Sequence, residues 1–165
     1  MNVLVIGNGG REPALCYGIK KSPNCSNLYC IPGSDSISEI ASSIITDVND
    51  HDAILQFCIE SKIDLVVIGP ELPLTKGLSN LLMNNAILVF GPDQMGAELE
   101  KSKKFTKDIC KKLNIATAAY DVFDNYDDAL NFCQNQSYPL VIKADGLAAG
   151  KGVIICQKKR MQRMR

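Results

Sequence analysis

A chain of 165 residues with 46% hydrophobic and 22% charged side chains has the balance of a globular protein, which excludes a disordered or fibrous one. Its 18 Lys and Arg match its 18 Asp and Glu, but five of those bases fall in the closing KKRMQRMR, leaving residues 1–157 with 13 basic against 18 acidic side chains, a net of −5. That distribution argues against a nucleic-acid surface, and no run approaches the roughly 20 apolar residues that a membrane span needs.

In chain order, β-branched runs stand at NVLVIG (2–7), NLYCI (27–31), SIIT (43–46), DLVVIG (64–69) and AILVFG (86–91), each bounded by Gly, Pro, Asn or Asp. Helical periodicity separates most of them, around 11–21, 51–61 and 74–85. Near-continuous apolar strands alternating with helices predict an α/β fold with a doubly wound parallel sheet, buried on both faces. Gly7, Ile31-Pro32-Gly33, Gly69-Pro70 and Gly91-Pro92 then line the carboxyl rim, where such sheets bind ligands.

From Gly96 the texture changes. AELEKSKKFTKDICKKLN predicts one lysine-rich amphipathic helix with Leu99, Phe105, Ile109 and Leu113 on a shared face. A strand at AYDVF (119–123), a helix over NYDDALNFCQN (125–135) and two strands around a loop in PLVIKADGLAAGKGVIIC come next. The domain pattern is therefore 1–97, then an unfinished unit over 98–157, then a basic tail at 158–165 read as unrelated to the preceding fold. An unfinished sheet edge at 153–156 predicts pairing or aggregation.

Seven scattered cysteines without a C-x-x-C pair point to reduced, packed thiols in a reducing compartment rather than a zinc site or disulfide framework. Met1-Asn2 leads into a strand with no basic leader, and the expected location is the cytosol. The single histidine, His51, reads as a solvated helix-start residue.

Three rim or loop motifs carry chemistry. In GNGGRE, Gly7 and Gly9 fit a dinucleotide fingerprint, but Glu12 stands where the third glycine belongs, and the second strand does not end in a ribose-binding acid. Gly9, Gly10 and Arg11 beside a helix start suit a phosphate monoester instead; they would equally form a tight β–α turn with an exposed arginine. In GPELPL, Gly69 and Pro70 fix a turn that carries Glu71 to the same rim, either to bind an amine or hydroxyl or as a solvated acid. VIKADGLAAGKGV is not a Walker loop, because Gly152 replaces Ser/Thr and a strand comes after it; it reads as a glycine-rich hairpin over phosphates, with a plain hairpin as the alternative.

In their order and spacing, VLVIGNGGRE, LVVIGPELPL, VFGP, LEKSKKFTKD and VIKADGLAAGKGV resemble the phosphoribosylamine–glycine ligase (glycinamide ribonucleotide synthetase) family of the ATP-grasp superfamily, over residues 1 to about 157. The resemblance implies a pre-ATP-grasp substrate domain followed by an incomplete ATP-grasp domain. It implies ligation of glycine to 5-phosphoribosylamine through an acyl phosphate, in purine biosynthesis, using ATP and Mg2+ (or Mn2+). By motif, Gly9, Gly10, Arg11, Gly69, Pro70 and Glu71 would contact the sugar phosphate and amine. Lys103, Lys143, Asp145, Gly146, Gly150, Lys151 and Gly152 would form the ATP set. Family members are more than twice as long. The magnesium acids, much of the adenine pocket and the glycine site are expected in the part absent here, so the catalytic set is incomplete and the chain alone is expected to be inactive. Pro13 departs from the family's usual histidine, and the tail does not resemble the family's sequence beyond the loop. A non-catalytic sugar-phosphate-binding module and another ATP-grasp ligase remain as alternatives.

Overall fold

The computed structural model describes residues 1–158; the basic tail expected at 158–165 therefore lies, from residue 159 onward, outside the described residues. The chain divides into two compact units, Met1–Glu98 and Leu99–Arg165.

The first unit is a five-stranded parallel sheet. Its strands are β1 (Asn2–Gly7), β2 (Asn27–Pro32), β3 (Ser42–Ser43), β4 (Leu65–Ile68) and β5 (Leu88–Phe90), in the order β3-β2-β1-β4-β5. Alternation along β1 sends its side chains to opposite faces. Leu4 and Ile6 pack with Ile54 and Cys58 of α3 (His51–Glu60) and with Leu78 and Leu82 of α5 (Leu78–Asn84). Val3 and Val5 pack with Cys16 of α1 (Glu12–Lys20) and Ile37 of α2 (Asp35–Ser38). Two-sided burial explains why β1 is almost wholly apolar, and each large side chain so buried is worth roughly 1.5–3 kcal/mol.

The chain winds outward from β1 through β2 to β3, then crosses back to β4 on the other side of β1. Register pairs Gly7 with Pro32, Ile6 with Ile68 and Val67 with Phe90, so all the Gly/Pro strand ends share one rim. The switch point falls between β1 and β4.

Several expected elements differ. The helix expected over 74–85 is two, α4 (Glu71–Thr75) and α5, because Gly77 adopts φ +89 and breaks the ladder. The SIIT strand is displaced to Ser42–Ser43, and Ile45 is 95% exposed because edge pairing ends there. The four-residue α2 was not expected from the periodicity.

In the second unit the expected continuous lysine-rich helix is also two, α6 (Gln94–Lys101), which begins in the first unit, and α7 (Lys103–Lys112). Ser102 is extended (φ −116, ψ 116) and caps α7 by accepting from Phe105 N at 3.0 Å. The AYDVF segment is not a strand. It is strapped along α7, where Tyr120 donates to Asp108 at 2.9 Å and Lys107 Nζ donates to Thr117 Oγ1 at 2.6 Å and Ala118 O at 2.7 Å. Then come α8 (Tyr126–Gln134) and the antiparallel pair β6 (Leu140–Lys143) and β7 (Val153–Cys156). Among the described residues, the buried apolar side chains of this stretch are Cys133 and Cys156. No helix among the described residues is long and apolar enough to cross a membrane.

Candidate functional site

At the switch point the chain leaves β1 through Gly7, at φ +127, into the exposed stretch Asn8-Gly9-Gly10-Arg11, and α1 begins at Glu12. Glu12 turns inward and is only 2% exposed. A Cβ on Gly7 would come within 2.8 Å of its Cδ, one on Gly9 within 2.9 Å of its Oε2, and one on Gly69 would collide with its Oε1. Three glycines from two loops thus make room for one carboxylate. Glu12 Oε1 is buried without a hydrogen-bond partner, and the nearest cation is Arg11, whose Nε lies 3.9 Å away.

Above it, Arg11 Nη1 donates to Glu71 Oε1 at 3.0 Å, joining the loop after β1 to the one after β4. Pro70, extended at φ −81 and ψ 149, sets the angle at which Glu71 enters α4. The Arg11 hydrogen bond, helped by the backbone N–H of Glu71, holds the Glu71 carboxyl below the usual carboxylate range. The same contact raises the Arg11 guanidinium. The side chains are 61% and 43% exposed, so the pair contributes at most about 1 kcal/mol and its partners are free to exchange. A Cβ on Gly10 would meet nothing within 4 Å, leaving that face open to an approaching group. Pro13, in the first turn of α1, offers no N–H there. The six substrate-side residues named from the sequence therefore lie on two adjacent loops of one rim.

In the second unit, β6 ends at Lys143 and β7 resumes at Val153, with Ala144 N donating to Gly152 O at 2.8 Å to close the loop. Gly146 and Gly150 take positive φ (+97 and +77), and a Cβ on either would meet nothing within 4 Å. The far half of the loop is tight: Lys151 N donates to Ala148 O at 2.8 Å, and a Cβ on Gly152 would come within 2.6 Å of Ala148 Cβ. Lys143 and Lys151 are exposed near the two ends of the loop.

The Asp145 carboxylate reaches the first turn of α7. It accepts from Ser102 Oγ at 2.9 Å, Lys103 N at 2.7 Å and Lys104 N at 3.3 Å, while Lys103 Nζ donates to Gly146 O at 2.6 Å. Desolvation pushes the Asp145 pKa up, but the bonds from Ser102, Lys104, Lys103 and Gly146 outweigh it and hold the carboxyl below its ordinary value.

Residues 1–100 match the family model described as "Phosphoribosylglycinamide synthetase, N domain", and residues 101–164 match "Phosphoribosylglycinamide synthetase, ATP-grasp (A) domain". The chain belongs to the phosphoribosylglycinamide synthetase family. It is 50% identical over 155 residues to the phosphoribosylamine–glycine ligase of Mesorhizobium japonicum and 48% identical over 155 residues to that of Brucella melitensis. Each match covers 94% of this chain and 36% of the relative. The solved phosphoribosylamine–glycine ligase of Thermotoga maritima superposes with a TM-score of 0.74 at 28% identity, covering 97% of this chain and 37% of that one. The chain thus spans little more than a third of the length of these synthetases. The fold is that of the family: a doubly wound amino-terminal domain followed by the start of an ATP-grasp domain.

Two residues of the site are not apparent from motifs alone. Ser102 caps α7, yet Leu99 falls at the edge of the broad apolar arc of Phe105, Ile109 and Leu113 and masks the break; the readable signal was a serine three residues before Phe105. Glu12 reads as a failed glycine, whereas it is the residue around which Gly7, Gly9 and Gly69 are arranged.

Proposed function

We propose that these residues form the substrate rim and part of the phosphate cage of an ATP-dependent carbon–nitrogen ligase that joins glycine to 5-phosphoribosylamine in purine biosynthesis. In this assignment residues 1–97 are the substrate domain and 98–157 part of the ATP-grasp domain. Gly9, Gly10 and Arg11 hold the sugar phosphate, while Gly69 and Pro70 carry Glu71 to the amine or hydroxyls. Support comes above all from the Arg11–Glu71 pair, which brings a cation and an anion from two loops onto one rim, the charges that a phosphate and an amine would each seek on exchanging with the pair.

In the second unit Lys103, Lys143 and Lys151 supply positive charge, and the open space beside Gly146 and Gly150 gives phosphates close approach to the backbone. That donor set fits the phosphates of ATP. It does not fit a magnesium or manganese ion: both Asp145 oxygens are engaged by α7, and no cluster of three or more His, Cys, Asp or Glu suited to a metal occurs among the described residues. ATP supplies the phosphoryl group that activates the glycine carboxyl; the residues named here orient phosphates and neutralise their charge.

Calorimetry with ribose 5-phosphate and an ADP-release assay with 5-phosphoribosylamine, glycine, ATP and magnesium test the proposal on the 165-residue chain. Saturable heat and no ADP are expected. Absence of heat removes the sugar-phosphate assignment. Glycine-dependent ADP release overturns the view that these residues are only part of the machinery.

A further inference from the structure

We propose that Asp145 is a positioning residue that locks the glycine loop to the first turn of α7, so that Lys103 and the loop present phosphate donors as one unit. This rests on the assignment of the second unit to phosphate binding. An acid in a phosphate cage is an electrostatic liability, since its charge repels the ligand at any dielectric. Its presence there calls for a use other than contact with the phosphates.

The geometry supplies that use. One Asp145 oxygen receives Ser102 Oγ, and the other receives the N–H groups of Lys103 and Lys104, spanning more than forty residues of sequence. The next residue, Gly146, returns its carbonyl to Lys103 Nζ at 2.6 Å. Lys103 is thereby held through its backbone by Asp145 and through its ammonium by Gly146. A neutral carbonyl is a weaker acceptor for an ammonium than a phosphate oxygen, so a polyphosphate displaces Gly146 from Lys103 Nζ while the backbone anchor stays. Gly146, at φ +97 with open space around it, is then free to pivot. The turn closed by Lys151 N to Ala148 O swings between that pivot and Gly152, whose carbonyl is held by Ala144 N at 2.8 Å. Asp145 is the fixed end of that motion.

The test is the sign of a binding change. Magnesium-free inorganic tripolyphosphate is titrated into the 165-residue chain by NMR for the wild type, Asp145→Ala, Asp145→Asn and Ser102→Ala. Removing a nearby negative charge by itself tightens binding of a polyanion. The positioning role predicts the opposite: weakening by about tenfold or more in Asp145→Ala, with partial recovery in Asp145→Asn, which keeps one acceptor oxygen for the Lys103 N–H. Tighter or unchanged binding in Asp145→Ala overturns the proposal.

Amide hydrogen exchange is the second readout, independent of any ligand. Asp145→Ala should speed exchange both in the first turn of α7 and at Gly146–Gly152, leaving the Leu140–Cys156 end of the β6–β7 ladder protected. A response confined to α7 makes Asp145 a helix cap alone and overturns the proposal. A wild type that binds no tripolyphosphate but shows the coupled exchange removes the phosphate-binding assignment while upholding the Asp145 lock.

Discussion

The Glu12 carboxylate fills the space that a side chain at Gly69 would need. A Cβ at Gly69 would collide with Glu12 Oε1 and also lie 3.0 Å from its Cδ and 3.1 Å from the Ile6 carbonyl oxygen. Gly69→Ala should therefore destabilise the first unit by about 1–3 kcal/mol in urea unfolding, the range for overpacking a filled site. In a Glu12→Ala background the same change should be less harmful by more than about 0.5 kcal/mol, because the main obstacle is gone while the Ile6 carbonyl remains. Strict additivity of the two substitutions would show that they do not share this volume.

Arg11→Gln should raise the Glu71 carboxyl pKa toward its ordinary value, since the Arg11 hydrogen bond is the foremost cause of its depression. A carbon-detected NMR titration of the Glu71 carboxyl reads this directly. The folded pKa lies below the unfolded one, so the stabilisation is present above about pH 4.3 and is lost as pH falls through the folded value. Both side chains are substantially exposed, so the total should not exceed about 1 kcal/mol. An unmoved Glu71 titration in Arg11→Gln would show that the pair does not persist in solution.

His51 opens α3 as its position suggested, but it is not solvated in the expected way: Nε2 is buried without a hydrogen-bond partner. Burial foremost, then the Lys76 ammonium, lowers its pKa against the opposing pull of Asp52 and Asp50. The folded pKa is below the unfolded value of about 6.5, so this contribution is complete above that pH and is lost as pH falls toward and through the folded value. The melting temperature should drop between pH 7.5 and 5.5, and the drop should shrink in His51→Gln. An identical drop in the variant would assign the pH dependence to other groups.

All seven cysteines are free thiols, but they are not equally reachable. Cys25 and Cys110 are partly exposed; Cys16, Cys30, Cys58, Cys133 and Cys156 are buried. Burial also pushes the Cys58 thiol up to about 12, which starves it of reactive thiolate near neutral pH. Brief iodoacetamide treatment at pH 8, read by peptide mass spectrometry, should label Cys25 and Cys110 and leave Cys58 unmodified until denaturant is added. Native labelling of Cys58 at a rate similar to Cys25 would contradict the packing of α3 on the sheet.

The parallel sheet and its rim were legible in the sequence because their causes are local. Strands buried on both faces must be continuously apolar, and the chain must turn at Gly or Pro where each one ends, so NVLVIG and DLVVIG declare both strand and rim. The hairpin around 144–152 was legible from its glycines between two apolar runs, although β6 and β7 are not buried on both faces. Tertiary structure decided what depends on groups distant in sequence. Gly77 and Ser102 split helices whose apolar periodicity runs on unbroken, because backbone conformation at a single residue does not alter the pattern on either side. The AYDVF segment has the composition of a strand but lies against α7, since pairing requires a neighbour that composition cannot supply. Glu12 among Gly7, Gly9 and Gly69, Arg11 beside Glu71, and Asp145 at the start of α7 are relationships between segments brought together only by folding. The residue types were visible from the start, and the partners that give them work were chosen by the fold.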